Sequence, residues 1–268
     1  MKKKIMITGS SGFLGSRIAL YYRDKYELLL PTHAELNISR EEAVRAYIEE
    51  HQPDIVVHCA ALSNTWYCEQ HPEESHRVNV QGTVRIAKAC KLTGAKLIFM
   101  SSDQVYNGTP LLGPLAEDAM LQPVNVYGRH KLEAEQRALW NLPDAVGLRL
   151  TWMYDSPDSP LRLNQNILVN LQTARLNSTP VKACTHELRG LTDVWQVVRN
   201  IEKALALPGG IYNFGSENRL NTYETYLRFA AKTNTPASLI IPDDTWQRNL
   251  SMSINKLRKF GIDFPDTI

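Results

Sequence analysis

The chain opens on a short apolar run, Ile5-Met6-Ile7-Thr8, that meets Gly9-Ser10-Ser11-Gly12-Phe13-Leu14-Gly15 and passes directly into Ser16-Arg17-Ile18-Ala19-Leu20-Tyr21-Tyr22. A strand that turns on glycines into an amphipathic helix admits few folds. Gly9 lets the chain leave the strand sharply, Gly12 lets backbone approach a pyrophosphate, and Gly15 lets the helix pack close on the strand. Ser11, Phe13 and Leu14 fill out the turn, whose free amides at the helix N-terminus are placed to hold phosphate. Glycines at this spacing also occur in ordinary turns, and the context of strand before and helix after is what favours dinucleotide binding.

With 268 residues the chain can bury a core as one domain or somewhat more. A hydrophobic share of 43%, a charged share of 22% and a net charge of +2 are those of a globular chain without a nucleic-acid or membrane-surface partner. Lys2, Lys3 and Lys4 read as a solvated lead-in to the first strand. No apolar run is long enough for a transmembrane helix, and no signal peptide is expected. Cys59, Cys68, Cys90 and Cys184 are widely spaced, so neither a metal site nor a disulfide framework is expected, and a reducing, cytoplasmic setting follows.

Residues 26–30 read as a second strand, after which an NAD-selective site would place an acidic residue for the adenosine ribose. Glu35 comes late for that role. Arg17 and His33 can approach a 2′-phosphate, with Asn37 on the same cofactor-facing segment, so the reading leans to NADP(H) over NAD(H). Ser39 is expected to cap the next helix with Glu42 as its capping-box partner, and Pro53 to end it. Residues 54–61 form an apolar strand covered on both faces, and Ala60 and Ala61 at its end leave room for a cofactor.

A helix over 79–90 contains Gly82, which points to close packing or the approach of a ligand there. Residues 96–100 form a fourth strand that ends in the polar run Ser101-Ser102-Asp103-Gln104. Residues 108–123 form a loop long enough to face a substrate as a lid. A helix over 125–139 then carries Tyr127 and Lys131, four apart and therefore on one face. A free tyrosine has a pKa of about 10, and a neighbouring ammonium favours its phenolate. Ser102 is placed to hydrogen-bond a substrate carbonyl beside Tyr127.

These pieces, in this order, resemble the extended short-chain dehydrogenase/reductases. The resemblance extends over residues 53–61, 79–83, 101–106 and 125–131, which look like the dTDP-4-dehydrorhamnose reductase family. It implies Ser102, Asp103, Tyr127 and Lys131 as catalytic residues, Trp152 as a platform for the sugar ring, Arg189 in the nucleotide-sugar pocket, and Tyr127 and Lys131 also against the cofactor. Two positions depart from that family. Gln104 stands where an aromatic is usual, and Asn249 where a proline is usual. Asp103-Gln104 also lacks the second carboxylate of the related dehydratases, which disfavours elimination.

The fold expected is α/β, a Rossmann-type doubly wound parallel sheet with a small C-terminal substrate-binding lobe. The nucleotide domain would take 1–154 with 186–207 returning to it, and the lobe 155–185 and 208–268. The function expected is reduction of a nucleotide-linked 4-keto-6-deoxy sugar. The alternatives are a catalytically silent NADP(H)-binding regulatory subunit and a nucleotide-sugar epimerase. The helices over 79–90 and 125–139 are compatible with a homodimer.

Overall fold

The computed structural model describes residues 2–267. Its first half alternates strand and helix: β1 (Lys4–Thr8), α1 (Phe13–Tyr22), β2 (Glu27–Leu29), α2 (Glu41–His51) and β3 (Ile55–His58). Next come α3 (Thr65–Gln70), α4 (Pro72–Ser75), a π-helical stretch His76–Gly82 and α5 (Thr83–Thr93). Then β4 (Lys96–Ser102), a 3-10 turn Asp103–Tyr106, α6 (Val126–Asn141) and β5 (Val146–Leu150) complete the first half.

The second half holds β6 (Trp152–Tyr154), α7 (Ile167–Asn177), β7 (Val181–Cys184), β8 (Glu187–Arg189), β9 (Leu191–Asp193) and α8 (Val194–Ala204). It ends with β10 (Gly210–Phe214), α9 (Thr222–Lys232), β11 (Ile240–Asp243), β12 (Arg248–Leu250) and α10 (Asn255–Arg258).

The main sheet has six strands in the order β10-β5-β4-β3-β1-β2, and every pairing in it is parallel. This is the doubly wound Rossmann-type architecture, and its strands are covered on both faces. Ile5, Ile7, Ile55, Val57, Ile98 and Met100 pack with α1 and α8. The alternate residues Met6, Val56, Leu97 and Phe99 pack with α2 and α5. Period-two alternation with both sets apolar is what a buried parallel sheet requires.

A smaller unit gathers Ile167, Leu171, Ala183, Tyr226, Phe229 and Ile240 into its own core. Its strands form three parallel pairs, β11 with β7, β12 with β8 and β6 with β9.

The division of the chain differs from the expected one. β10 joins the main sheet beside β5, and Ile254, Leu257, Ile262 and Phe264 pack into the core under α1 and α8. Residues 208–214 and the last turns therefore stand with the main sheet. Conversely, β8 and β9 pair with strands of the second half, so of 186–207 it is α8 that returns. The Ser39 cap also fails: the N-cap of α2 is Arg40, without a side-chain cap bond, while Ser39 closes a small turn on Asn37 Oδ1 (2.9 Å). Gly82 packs against the Ile38 side chain, whose Cδ1 would lie 2.9 Å from an added Cβ.

Candidate active site

The glycine turn sits at the C-terminal end of β1. Gly9 has φ +67, and a Cβ there would come within 2.8 Å of Ala60 N, so the turn rests against the end of β3. A Cβ on Gly15 would lie 2.2 Å from Gly9 O, which is how tightly α1 seats on the turn. Gly12 is the N-cap of α1, with no side-chain cap and no acidic residue in the first turn. The leading amides of the helix thus remain available to an anion. Ser11 is exposed, Phe13 half-buried and Leu14 buried, and Ala60 and Ala61 are half-buried at the end of β3.

Arg17 does not reach toward a 2′-phosphate. It is fully buried, with Nε and Nη2 donating to Asp155 Oδ2 at 2.8 and 2.6 Å. Nη1 donates to the carbonyls of Phe13 and Arg162 (2.6 and 3.0 Å), and Nη2 also to Ser159 Oγ (3.2 Å). Every guanidinium N–H is taken. Arg17 instead ties α1 to the loop after β6. Past β2, His33 is exposed, and Glu35 is turned onto the backbone and hydroxyl of Thr32, which hold its carboxyl below the usual range.

The polar run that ends β4 makes a compact cluster. Ser102 Oγ caps the 3-10 turn by accepting from Gln104 N (3.2 Å) and donates to Asp103 Oδ1 (3.1 Å). Asp103 is buried, and its Oδ2 accepts from Arg189 Nη2 at 2.7 Å. Lys131 is buried, donates Nζ to Met100 O (2.8 Å) and lies 5.6 Å from the centre of the Tyr127 ring. Ser102, Asp103, Tyr127 and Lys131 are thus gathered at the C-terminal ends of the sheet, where open α/β sheets bind ligands.

The electrostatics differ from the expected ones at Tyr127. Its phenol is raised, not lowered: burial is the largest cause, the Asp103 carboxylate adds to it, and the Ser102 hydroxyl opposes it. Lys131 is pulled down to about 8 by burial, against the Glu135 carboxylate that raises it. Tyr127 is therefore held as the neutral phenol, and of the two it is Lys131 whose pKa lies nearer neutrality.

Arg189, on β8, spans to the end of β4 and lies 5.1 Å over the Trp152 ring. Trp152 is only half-buried, with Nε1 donating to Gln165 O at 3.3 Å. Glu187 beside them is ion-paired with Arg248 and accepts from Thr222 Oγ1 at 2.7 Å. Burial raises its carboxyl, and Arg189 and Arg248 outweigh that to lower it. Among the described residues, Arg189 Nε is buried without a partner.

Two residues of the segments that carry the resemblance have a structural part here that the sequence reading does not assign them. Asn79, in the π-helical stretch, accepts from Leu62 N and donates to Leu62 O, both at 2.9 Å, fixing the chain after β3. His58 joins Thr8 (2.7 Å) to Thr83 (3.2 Å), and burial with Lys131 pushes it down to about 3. A polar residue inside an apolar helix or strand pattern was the available signal for both. The 108–123 loop is pinned: Leu115 N donates to Ser251 O (2.8 Å) and Asn249 Nδ2 to the carbonyls of Leu111 and Gly113 (2.9 and 2.8 Å). A proline at 249 would have no such donor.

The profile of the RmlD substrate binding domain matches residues 2–253. Methionine adenosyltransferase 2 subunit beta of Xenopus laevis is 30% identical over 97% of this chain and 83% of its own length. A dTDP-4-dehydrorhamnose reductase of Mycolicibacterium smegmatis is 36% identical over 59% of this chain and 48% of its own length. Among solved structures, the dTDP-4-dehydrorhamnose reductase of Bacillus anthracis in complex with NADP superposes with a TM-score of 0.90 at 22% identity, over 100% of this chain and 95% of that one. The UDP-glucose 4-epimerase of Thermotoga maritima superposes at 0.83 and 18% identity, over 97% and 93%. This chain belongs to the RmlD substrate binding domain family and has the fold of the extended short-chain dehydrogenase/reductases.

Proposed function

We propose that this protein is an NAD(P)H-dependent reductase acting on the ring ketone of a nucleotide-linked sugar, with 4-keto-6-deoxy sugars as the first substrates to test. The observation that carries the reading is the meeting of Ser102, Tyr127 and Lys131 at the sheet end that also bears the glycine turn. The turn fits a dinucleotide, since its glycines leave no room for side chains and the α1 amides are free of a cap. A bound nicotinamide would supply the hydride. Tyr127 gives the carbonyl oxygen its proton, Lys131 stands beside it as the buried cation, and Ser102 polarises the carbonyl on exchanging its bond to Asp103. Trp152 and Arg189 face the sugar.

The test follows NADPH and NADH oxidation with dTDP-4-keto-6-deoxy sugars, for the wild type and for Tyr127→Phe. Turnover that falls by about 10²–10⁴ in the variant supports Tyr127 as the acid. A second reading is a regulatory subunit that binds dinucleotide without turnover. It is favoured by the likeness to methionine adenosyltransferase 2 subunit beta and by the Arg189–Asp103 contact drawn across the site. Dinucleotide binding with no turnover of any keto sugar selects it.

A further inference from the structure

We propose that Gln104 is a positioning residue that sets Ser102 against Tyr127, acting through the N-cap of the catalytic helix; the role in catalysis rests on the reductase reading above. Gln104 touches both sides of the site. Its backbone N–H donates to Ser102 Oγ (3.2 Å), and its side-chain Oε1 accepts from Asn125 Nδ2 (2.8 Å) and Asn107 Nδ2 (3.1 Å). Asn125 is the N-cap of α6, and its Oδ1 accepts from Gly128 N at 2.6 Å. That bond fixes which way the Asn125 amide faces, so its NH2 is turned to Gln104 and Gln104 must present oxygen.

The contact extends to the backbone. A Cβ on Gly128 would fall 2.3 Å from Gln104 O, so the turn after Ser102 and the first turn of α6 lie directly against each other. Helix starts leave amides unpaired and are where helices open first. Tyr127 sits in that first turn, so its placement is only as firm as the cap. Gln104 is buried, and its loss would leave the Asn125 NH2 without this acceptor. An aromatic at this position, as the resemblance leads one to expect, has no carbonyl to offer Asn125; this chain holds the helix by an amide instead.

The test compares wild type with Gln104→Leu, the near-isosteric Gln104→Glu, Asn125→Ala and the Gln104→Leu/Asn125→Ala double variant. Amide exchange at Gly128 and steady-state turnover of NADPH with the keto sugar are measured. Gln104→Leu should speed exchange at Gly128 by about tenfold, as expected for losing the hydrogen bond that holds Asn125. It should lower kcat by about tenfold or more with KM for NADPH unchanged, because the reacting group is displaced and the cofactor turn is not. Gln104→Glu, which keeps the acceptor, should recover both to within about threefold. The double variant should lose clearly less than the sum of the two single losses, since both substitutions remove the same Gln104–Asn125 bond.

Wild-type exchange and kcat in Gln104→Leu would overturn the proposal. So would a Gln104→Glu protein as impaired as Gln104→Leu, or additive losses in the double variant. If the wild type itself turns over no keto sugar, the reductase reading falls, and Gly128 exchange in Gln104→Leu against Gln104→Glu still decides whether Gln104 holds the helix.

Discussion

Tyr127 is raised by burial and by Asp103, which suits a group that gives a proton to a reduced carbonyl and hinders one that must take a proton first. Lys131 carries the opposite bias. Its folded pKa of about 8 lies below its ordinary 10.5, so over that interval the unfolded chain binds more protons than the folded one. The Lys131 contribution to stability then rises with pH across the window, opposed above about pH 9 by the raised thiols of Cys59 and Cys90, and the buried charge is a cost at neutral pH. The sign is fixed by desolvation outweighing Glu135. Lys131→Met should remove this contribution, about 3 kcal/mol at most for a shift of this size, and so make the pH slope of the variant less positive than that of the wild type. Urea midpoints at the two ends of the window, compared between wild type and variant, check it. An identical pH slope in both proteins would mean that Lys131 is better solvated than its burial indicates.

The strand-turn-helix unit at the start of the chain was readable because its demands are local. Gly9 must take a left-handed φ and Gly15 must accept Gly9 O where a side chain would begin, and glycine alone meets both needs. The pairing of Tyr127 with Lys131 was readable for a similar reason, as one helical turn separates them. The elements also differ in how much they tolerate. Gly94 closes α5 with φ +77 and has open space around it, so Gly94→Ala costs only the left-handed strain, about 1 kcal/mol. Gly15→Ala pushes one backbone into another with no flexible side chain to yield. It should cost several-fold more in urea unfolding, on the order of 3 kcal/mol or above, and weaken dinucleotide binding together with stability. Equal losses for the two variants would show that α1 can slide on its turn.

What the sequence hid was set by partners distant along the chain. Arg17 looked like an exposed basic residue near a phosphate, and the residue that buries it, Asp155, is 138 positions away. The sequence places residues 208–268 in the lobe, and it is α8, crossing back over the main core, that brings β10 beside β5. Arg189 belongs to the same class, because its partner Asp103 lies 86 positions upstream. Their 2.7 Å ion pair joins β8 of the smaller unit to the end of β4, with the arginine side chain 13% exposed and the aspartate 3%. A charge left behind in such a place is costly: breaking a buried pair from one side destabilises by about 3–5 kcal/mol, whereas removing both charges is far milder. Arg189→Met should therefore lower the urea midpoint strongly, and adding Asp103→Asn should recover much of the loss, although each substitution removes the same bond. Recovery would place the energy in the stranded carboxylate beside Tyr127. A double variant as weak as Arg189→Met alone would place it in the lost packing of the guanidinium on Trp152 and make the link between the two units one of contact, not charge.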